Sequence, residues 1–111
     1  MNSILTSIKK LLGITKEYED FDEEIIIHIN SAFSVLTQLG VGPNDGFAIT
    51  DSTAEWSAFL SNGHRLEFVK NYVYLKVKLG FDPPTNSAAI DAINRQISEL
   101  EWRIIVANET I

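Results

Sequence analysis

The side chains with the most potential for chemistry form a run of carboxylates near the N-terminus. Six of the eight residues from 17 to 24 are acidic, namely Glu17, Glu19, Asp20, Asp22, Glu23 and Glu24. Asp20, Asp22 and Glu24 alternate as the first ligands of an EF-hand calcium loop do. The sixth position of such a loop requires glycine, whereas this chain has Ile25. We therefore interpret the run as a solvated linker, followed by a helix whose first-turn carboxylates complement the helix dipole.

The chain lacks the residue combinations that most catalytic sites need. His28 and His64 fall in separate predicted helices and cysteine is absent, so no nucleophile has a positioned base. His28 follows Glu24 by four residues, which predicts a contact between them and a structural histidine. HExxH, GxxxxGK and GxGxxG motifs are also absent. The sequence predicts no enzymatic activity, no cofactor and no metal site.

Composition narrows the class of protein further. The 111 residues suffice for one domain with a single core, and 45% hydrophobic with 22% charged residues is typical of a globular protein. The net charge of −6 argues against a protein that grips DNA phosphates, although an acidic wall lets DNA slide past without adhesion. The N-terminal segment has lysines inside its apolar stretch, which favours a short amphipathic helix of a cytosolic protein over a signal peptide.

Hydrophobic periodicity predicts an all-α protein, a small bundle of about four to five helices with one long irregular loop over residues 40–52. The first predicted helix begins at a cap formed by Asn2 or Ser3 and ends at Gly13. So short a helix is marginal alone, so it must dock either on its own domain or on a neighbouring subunit.

Four further helices follow from local signals. The second runs from about Phe21 to Gln38, and the fourth from about His64 to Leu79. Residues 52–55 read Ser-Thr-Ala-Glu, a capping box that predicts the start of a short third helix. The last helix starts near Asn86 or Ser87.

The fourth predicted helix has apolar residues around more than half of its circumference. Such a helix belongs at the centre of a bundle. We expect it to stop within the sequence Gly80-Phe81-Asp82-Pro83-Pro84, whose two consecutive prolines fix where the next helix can start.

Apolar residues in excess of one core predict an interface with another subunit or partner. In the last helix an apolar seam repeats at heptad spacing, and Trp102 lies almost opposite it, close to Ile105. Trp102 is either an interface anchor or a residue covered by the N-terminal helix. The predicted interface residues are Trp102, Ile105, Ile27, Tyr74, Phe47 and Ile49.

Several stretches, in the same order along the chain, resemble the head–tail connector (adaptor) proteins of tailed bacteriophages. They are IKKLLGI, DEEIIIHINSAFSVLTQLGVGP, DSTAEWSAFL and YVYLKVKLGFDPPTNSAAIDAINRQISELEWRI. The resemblance implies a helical bundle that assembles into a homo-oligomeric ring, typically dodecameric, without cofactor or catalysis. It implies that the ring docks on the portal protein and carries the DNA channel toward the tail-completion and tail proteins.

Under that reading, the protein belongs to the virion and occupies the bacterial host cytoplasm during assembly. DNA is passing cargo, with no specific binding and no membrane involved. The acidic residues expected to line the channel are Glu17, Glu19, Asp20 and Asp22.

Two other functions remain open at this point. A small regulatory adaptor would bind a partner helix through the apolar surface left over. An acidic DNA mimic would need carboxylates spread along one surface, whereas these cluster in residues 17–24, so we rank it last.

Overall fold

The computed structural model describes residues 3–60 and 64–109 of the chain. It contains five helices in this part of the sequence, and the all-α prediction is confirmed. The helices are α1 (Ile4–Leu11), α2 (Asp22–Gln38), α3 (Trp56–Phe59), α4 (His64–Phe81) and α5 (Ser87–Glu109).

Helix α4 lies at the centre, as its apolar circumference predicts. It packs against α1, α2 and α5, and its residues Val69, Tyr72, Val73 and Val77 are fully buried. Both long neighbours run antiparallel to it. The ring of Phe21, just before α2, lies 5.4 Å from that of Phe81 at the end of α4. On the other side, Tyr72 of α4 donates a hydrogen bond to Glu101, late in α5.

Helix α1 docks on its own chain, which decides between the two alternatives left by its length. Its residues Ile4, Leu5 and Ile8 are buried in the common core. The Ile4 N–H donates to the Ala54 carbonyl at 3.0 Å, and the Trp56 indole N–H donates to Ser7 Oγ at 2.9 Å. These bonds attach α1 to the segment that leads into α3.

Of the two side-chain N-caps predicted, the one at the start of α1 is present and the capping box is absent, while α5 has a cap at Asn86, where its start was predicted. Ser3 Oγ accepts from the Thr6 N–H, and Asn86 Oδ1 accepts from the N–H groups of Ala88 and Ala89. The capping box at residues 52–55 is wrong, because α3 starts after Glu55 with no side-chain cap.

The tertiary structure uses that segment differently. The Ser52 carbonyl accepts from the Ser3 hydroxyl at 2.8 Å, and Glu55 pairs with Ser3 in an isolated bridge. The segment is therefore bonded to the start of α1 instead of closing a helix turn of its own.

Helix α4 ends at Phe81, inside the stretch from Gly80 to Pro84 where the sequence predicts it to stop. Gly80 allows close packing against His28. A Cβ at this position would lie 2.7 Å from Nδ1 and 2.8 Å from Cε1 of His28 on α2. Glycine thus lets α2 approach α4 where a larger residue would force the imidazole away.

The long loop over residues 40–52 is irregular, as predicted, but it is anchored at several points. Val41 and Ile49 are buried in the core. The Asn30 side chain on α2 accepts from the Ile49 N–H at 2.8 Å and donates to the Ile49 carbonyl at 3.0 Å. Its amide therefore satisfies both backbone groups of a buried loop residue, as a neighbouring strand would.

Candidate subunit interface

The acidic run is attached to the domain by one buried lysine. Lys9 lies on the buried side of α1 and is 2% exposed. Its Nζ donates to the carbonyls of Lys16 at 3.1 Å and Tyr18 at 2.6 Å, and it lies 2.8 Å from Oδ1 of Asp22. Two carbonyls thus accept hydrogen bonds from the ammonium, and the Asp22 carboxylate supplies the opposite charge as an ion pair without a hydrogen bond to Oδ1. Together these contacts offset the cost of burying the lysine charge.

The four carboxylates predicted to line a channel therefore differ in their surroundings. Glu17, Glu19 and Asp20 are exposed, whereas Asp22 is half-buried and paired with Lys9. Asp22 is a structural partner whose charge is neutralised locally. Its two neighbours Glu23 and Glu24 stand with it in the first turn of α2, where they complement the helix dipole as predicted.

Sequence reasoning missed the role of Lys9. Its signal was its position four residues after Leu5 on the apolar side of α1, since a lysine there must either extend to solvent or find buried acceptors. The acceptors come from an irregular segment whose path periodicity does not predict.

An aromatic cluster stands beside the acidic run. Tyr18 and Phe21 have ring centroids 5.6 Å apart, and Phe21 bridges to Phe81. Tyr18 and Phe21 keep 46% and 39% of their surface exposed. The negative charge of Asp20 is the main cause that raises the pKa of the Tyr18 phenol, with desolvation and a hydrogen bond to Asp20 adding to it. The cluster lies at the C-terminal end of α4.

A groove with mixed apolar and polar lining lies between α4 and α5, over residues 68–75 of α4. It encloses about 410 Å³ and is lined by Phe68, Asn71, Tyr74, Leu75, Gln96, Glu99, Leu100 and Arg103. A smaller hollow of about 230 Å³ adjoins it, lined by Phe68, Trp102, Arg103 and Val106. Because Phe68 and Arg103 line both, we treat them as one surface, the α4–α5 groove.

Trp102 stands at the rim of this groove and is 65% exposed. The alternative in which the N-terminal helix covers Trp102 is therefore wrong. Tyr74 and Trp102, both predicted as interface residues, belong to the same surface. Ile105 is half-buried on α5.

The remaining predicted interface residues are elsewhere. Ile27 is 61% exposed on the outer face of α2. Phe47 packs against Phe33 and Phe59, with ring centroids 5.1 and 5.3 Å away. Ile49 is 2% exposed, so the core of the chain already buries the surface that the prediction offered to a partner.

A hydrogen bond fixes the spacing of α4 and α5 beneath the groove. The hydroxyl of Tyr72 donates to Glu101 Oε2 at 2.8 Å. Burial, followed by the hydrogen bond and the charge of Glu101, raises the pKa of Tyr72 well above its ordinary range. The phenol therefore stays a donor to Glu101 across the physiological pH range, and this hydrogen bond joins α4 to α5.

Charge is distributed unevenly between the two halves of the chain. Residues 1–55 contain nine of the fifteen acidic residues and three of the nine basic ones, so they carry the whole net charge of −6. Residues 56–111 contain six of each. The groove belongs to this neutral half, and Arg103 in its lining pairs with Glu99, also in its lining, at 2.7 Å.

The described residues offer no sign of a metal centre. No group of three or more His, Asp or Glu side chains among them is placed to hold a metal ion. His28, which was predicted to be structural, packs against the backbone of Gly80.

Comparison with known proteins adds the decisive observation. The model of one protein family, described as phage connector protein, matches residues 4–110. The chain belongs to the phage connector family. No curated protein and no solved structure matches it. The resemblance to head–tail connectors found in the sequence is confirmed, and the match extends over all five helices.

Membership sets the class of function for this connector. The family is structural, and it implies a component of the virion. No helix in the described part of the chain is long and apolar enough to cross a membrane.

Proposed function

We propose that this connector, acting as one domain of residues 1–111, assembles into a closed ring beneath the portal and extends the DNA channel toward the tail. We expect the ring to be dodecameric, with the portal protein above it and tail-completion or tail proteins below. It forms in the host cytoplasm, acts without catalysis and becomes part of the virion.

The exposed Trp102 beside the α4–α5 groove carries this proposal. Tryptophan is enriched among the residues that dominate binding energy, particularly where it borders a pocket. A side chain of that size left 65% exposed next to an apolar hollow is typical of a surface that another protein covers. The family supplies the class of partner, namely other phage structural proteins.

The acidic half of the chain supports the channel. We propose that Glu17, Glu19 and Asp20 face passing DNA, because a negatively charged wall repels phosphates and prevents adhesion. Asp22 is left out of this set because Lys9 neutralises it. DNA binding with sequence specificity is not part of the proposal.

The molar mass of the protein in solution tests whether it forms a ring. Light scattering coupled to size exclusion, across protein concentration and salt, is expected to show a discrete species of many subunits, either alone or after addition of portal protein. A chain that stays monomeric in every condition and does not bind portal contradicts the proposal. It would favour the regulatory adaptor instead.

A further inference from the structure

We propose that residues 15–20, which we call the strap, open away from the subunit while the helices stay folded. The buried ammonium of Lys9 holds the strap closed against the repulsion between neighbouring carboxylates. This opening is a property of the single subunit and goes beyond the proposed function. Only its consequence for a channel rests on that function, since the strap carries Glu17, Glu19 and Asp20 and this part of the acidic wall would move with it.

The strap is anchored at both ends and exposed between them. Ile14, just before it, packs against the core. The ring of Phe21, just after it, lies 5.4 Å from the ring of Phe81. Every residue from 15 to 20 is exposed. A segment that buries none of its own side chains can leave its position without disturbing the core.

Lys9 supplies the attachment between the two anchors. Its Nζ donates to the carbonyls of Lys16 and Tyr18. The other backbone hydrogen bonds of the strap close turns between residues three apart, at 3.2 Å. Among the residues that the structure describes, Lys9 is therefore the donor that attaches the strap to another element. Loss of two bonds to one side chain is enough to release it.

Two hollows lie between the strap and the rest of the subunit. The smaller, of about 220 Å³, is bordered by Glu17 and Glu19 of the strap and by Leu5 and Lys9 of α1. The larger, of about 540 Å³, extends from Glu19 to the end of the long loop at residues 50–52. A segment that borders hollows instead of packed side chains loses few dispersion contacts when it moves.

The larger hollow also brings like charges together. Carboxylates of the strap, of the start of α2 and of the long loop line it, namely Glu19, Asp20, Asp22, Glu23 and Asp51. Asp22 is paired with Lys9, whereas the other four carboxylates are exposed and repel one another. Salt screens exposed charges far more than the buried contacts of Lys9. Repulsion therefore favours the open strap, and added salt should close it.

Trypsin tests the opening at the bond that Lys9 holds, because it cleaves after Lys16, whose carbonyl accepts from Lys9. At low protease concentration the rate of cleavage reports the population of the open form. Mass spectrometry should detect cleavage after Lys16 well before cleavage after Lys70 or Lys76 within α4. Cleavage after Lys16 should also depend less steeply on urea, because strap opening exposes little surface. A synthetic peptide of residues 12–24 corrects for effects on trypsin itself.

Lys9→Met is expected to speed cleavage after Lys16 by at least about tenfold, because both carbonyls lose their donor. The shallow dependence on urea should persist in this variant. Lys10 is exposed next to Lys9, so Lys10→Met is the matched control and should leave the rate unchanged.

A second matched pair tests the repulsion. Glu23 and Glu24 both stand in the first turn of α2, but Glu23 lines the larger hollow and Glu24 does not. At low salt, Glu23→Gln should slow cleavage after Lys16 about twofold, and Glu24→Gln should have a smaller effect. Added salt should slow cleavage of the wild type, relative to the peptide, by about two- to threefold.

The outcomes separate this inference from the proposed function. A urea dependence after Lys16 as steep as that after Lys70 would show that only global unfolding releases the strap, and it overturns the proposal. Equal rates in Lys9→Met and Lys10→Met overturn the role of Lys9. Faster cleavage of the wild type in added salt overturns the role of repulsion. Each of these results leaves the ring standing, because the molar mass of the assembly is measured separately.

Discussion

The backbone of Gly80 on α4 lies directly against the imidazole of His28 on α2. A single methyl group at position 80 would lie 2.7 Å from the nearest ring atom. This contact joins α2 to α4. It explains why a glycine occurs inside α4, although glycine has a low helix propensity.

Gly80→Ala therefore compares two opposing effects on stability, the clash with His28 and the higher helix propensity of alanine. Alanine is better in a helix by about 1 kcal/mol, but the clash with His28 should outweigh this gain and lower the free energy of unfolding by about 1–2 kcal/mol. Urea denaturation of purified protein measures the change. In a His28→Ala background the same substitution should become stabilising. Equal effects in the two backgrounds would show that the contact is unimportant.

Lys9→Met is expected to destabilise the protein by about 2–3 kcal/mol, because two carbonyls lose their buried donor and the Asp22 carboxylate loses its ion-pair partner. Lys10 is the exposed neighbour, and Lys10→Met should change stability by less than about 0.5 kcal/mol. Hydrogen exchange should also quicken across residues 14–21 in the first variant only. Similar unfolding curves for both variants would contradict the assignment.

Asn30→Ala removes both hydrogen bonds to Ile49 and leaves a buried N–H and carbonyl without that partner. We expect a loss of about 2 kcal/mol, measured by thermal or urea unfolding. The adjacent Ser31 is exposed, so Ser31→Ala serves as the control. If Asn30→Ala were as stable as this control, the loop would not depend on the amide.

Tyr72 predicts a loss of stability at alkaline pH. The folded state raises the pKa of its phenol, so the folded protein retains this proton more strongly than the unfolded chain does. The contribution of the Tyr72 phenol to the free energy of unfolding is complete below the pKa of about 10 that tyrosine has in the unfolded chain. This contribution declines as the pH rises above that value. Tyr72→Phe should be less stable than wild type at neutral pH, yet lose stability less steeply from pH 9 to 11. Identical slopes in that range would refute the prediction.

Alanine variants of the two tryptophans distinguish an effect on assembly from an effect on folding. Trp102→Ala should leave helicity and unfolding of the isolated subunit near wild type, because the side chain is 65% exposed, and should reduce ring formation. Trp56 is 2% exposed, so Trp56→Ala should cost about 3–5 kcal/mol of stability. A loss of helicity in Trp102→Ala that matches its loss of assembly would place Trp102 in the core instead.

The sequence predicted those features that depend on residues close together in the chain. Periodicity located the helices and the central position of α4, and the caps at Ser3 and Asn86 depend only on nearby backbone groups. The failures have tertiary causes. The capping box is absent, and its segment is bonded instead to the start of α1, where the Ser3 hydroxyl donates to the Ser52 carbonyl forty-nine residues away in sequence. The packing of Gly80 against His28 likewise depends on the position of α2, which periodicity does not give.

The candidate site divides in the same way. Its position opposite an apolar seam left Trp102 either exposed or covered by α1, and only the tertiary structure shows that it is exposed. The groove beside it depends on the spacing of α4 and α5. Ile49 was predicted to contact a partner because its loop is long and rich in turn residues, yet it is buried in the core and its backbone bonds to Asn30. Polar side chains that bond a distant backbone, as Asn30 and Lys9 do, give no periodic signal.

The burial of Lys9 gives this protein a built-in reporter of local opening. Acylating reagents react with a free amine, so exposed lysines such as Lys10 will be modified quickly. Lys9 will react only when residues 16–22 detach and release its ammonium. The rate at which mass spectrometry detects a label on Lys9 thus measures how often the acidic segment leaves the domain, in the free subunit and in any assembly that clamps it.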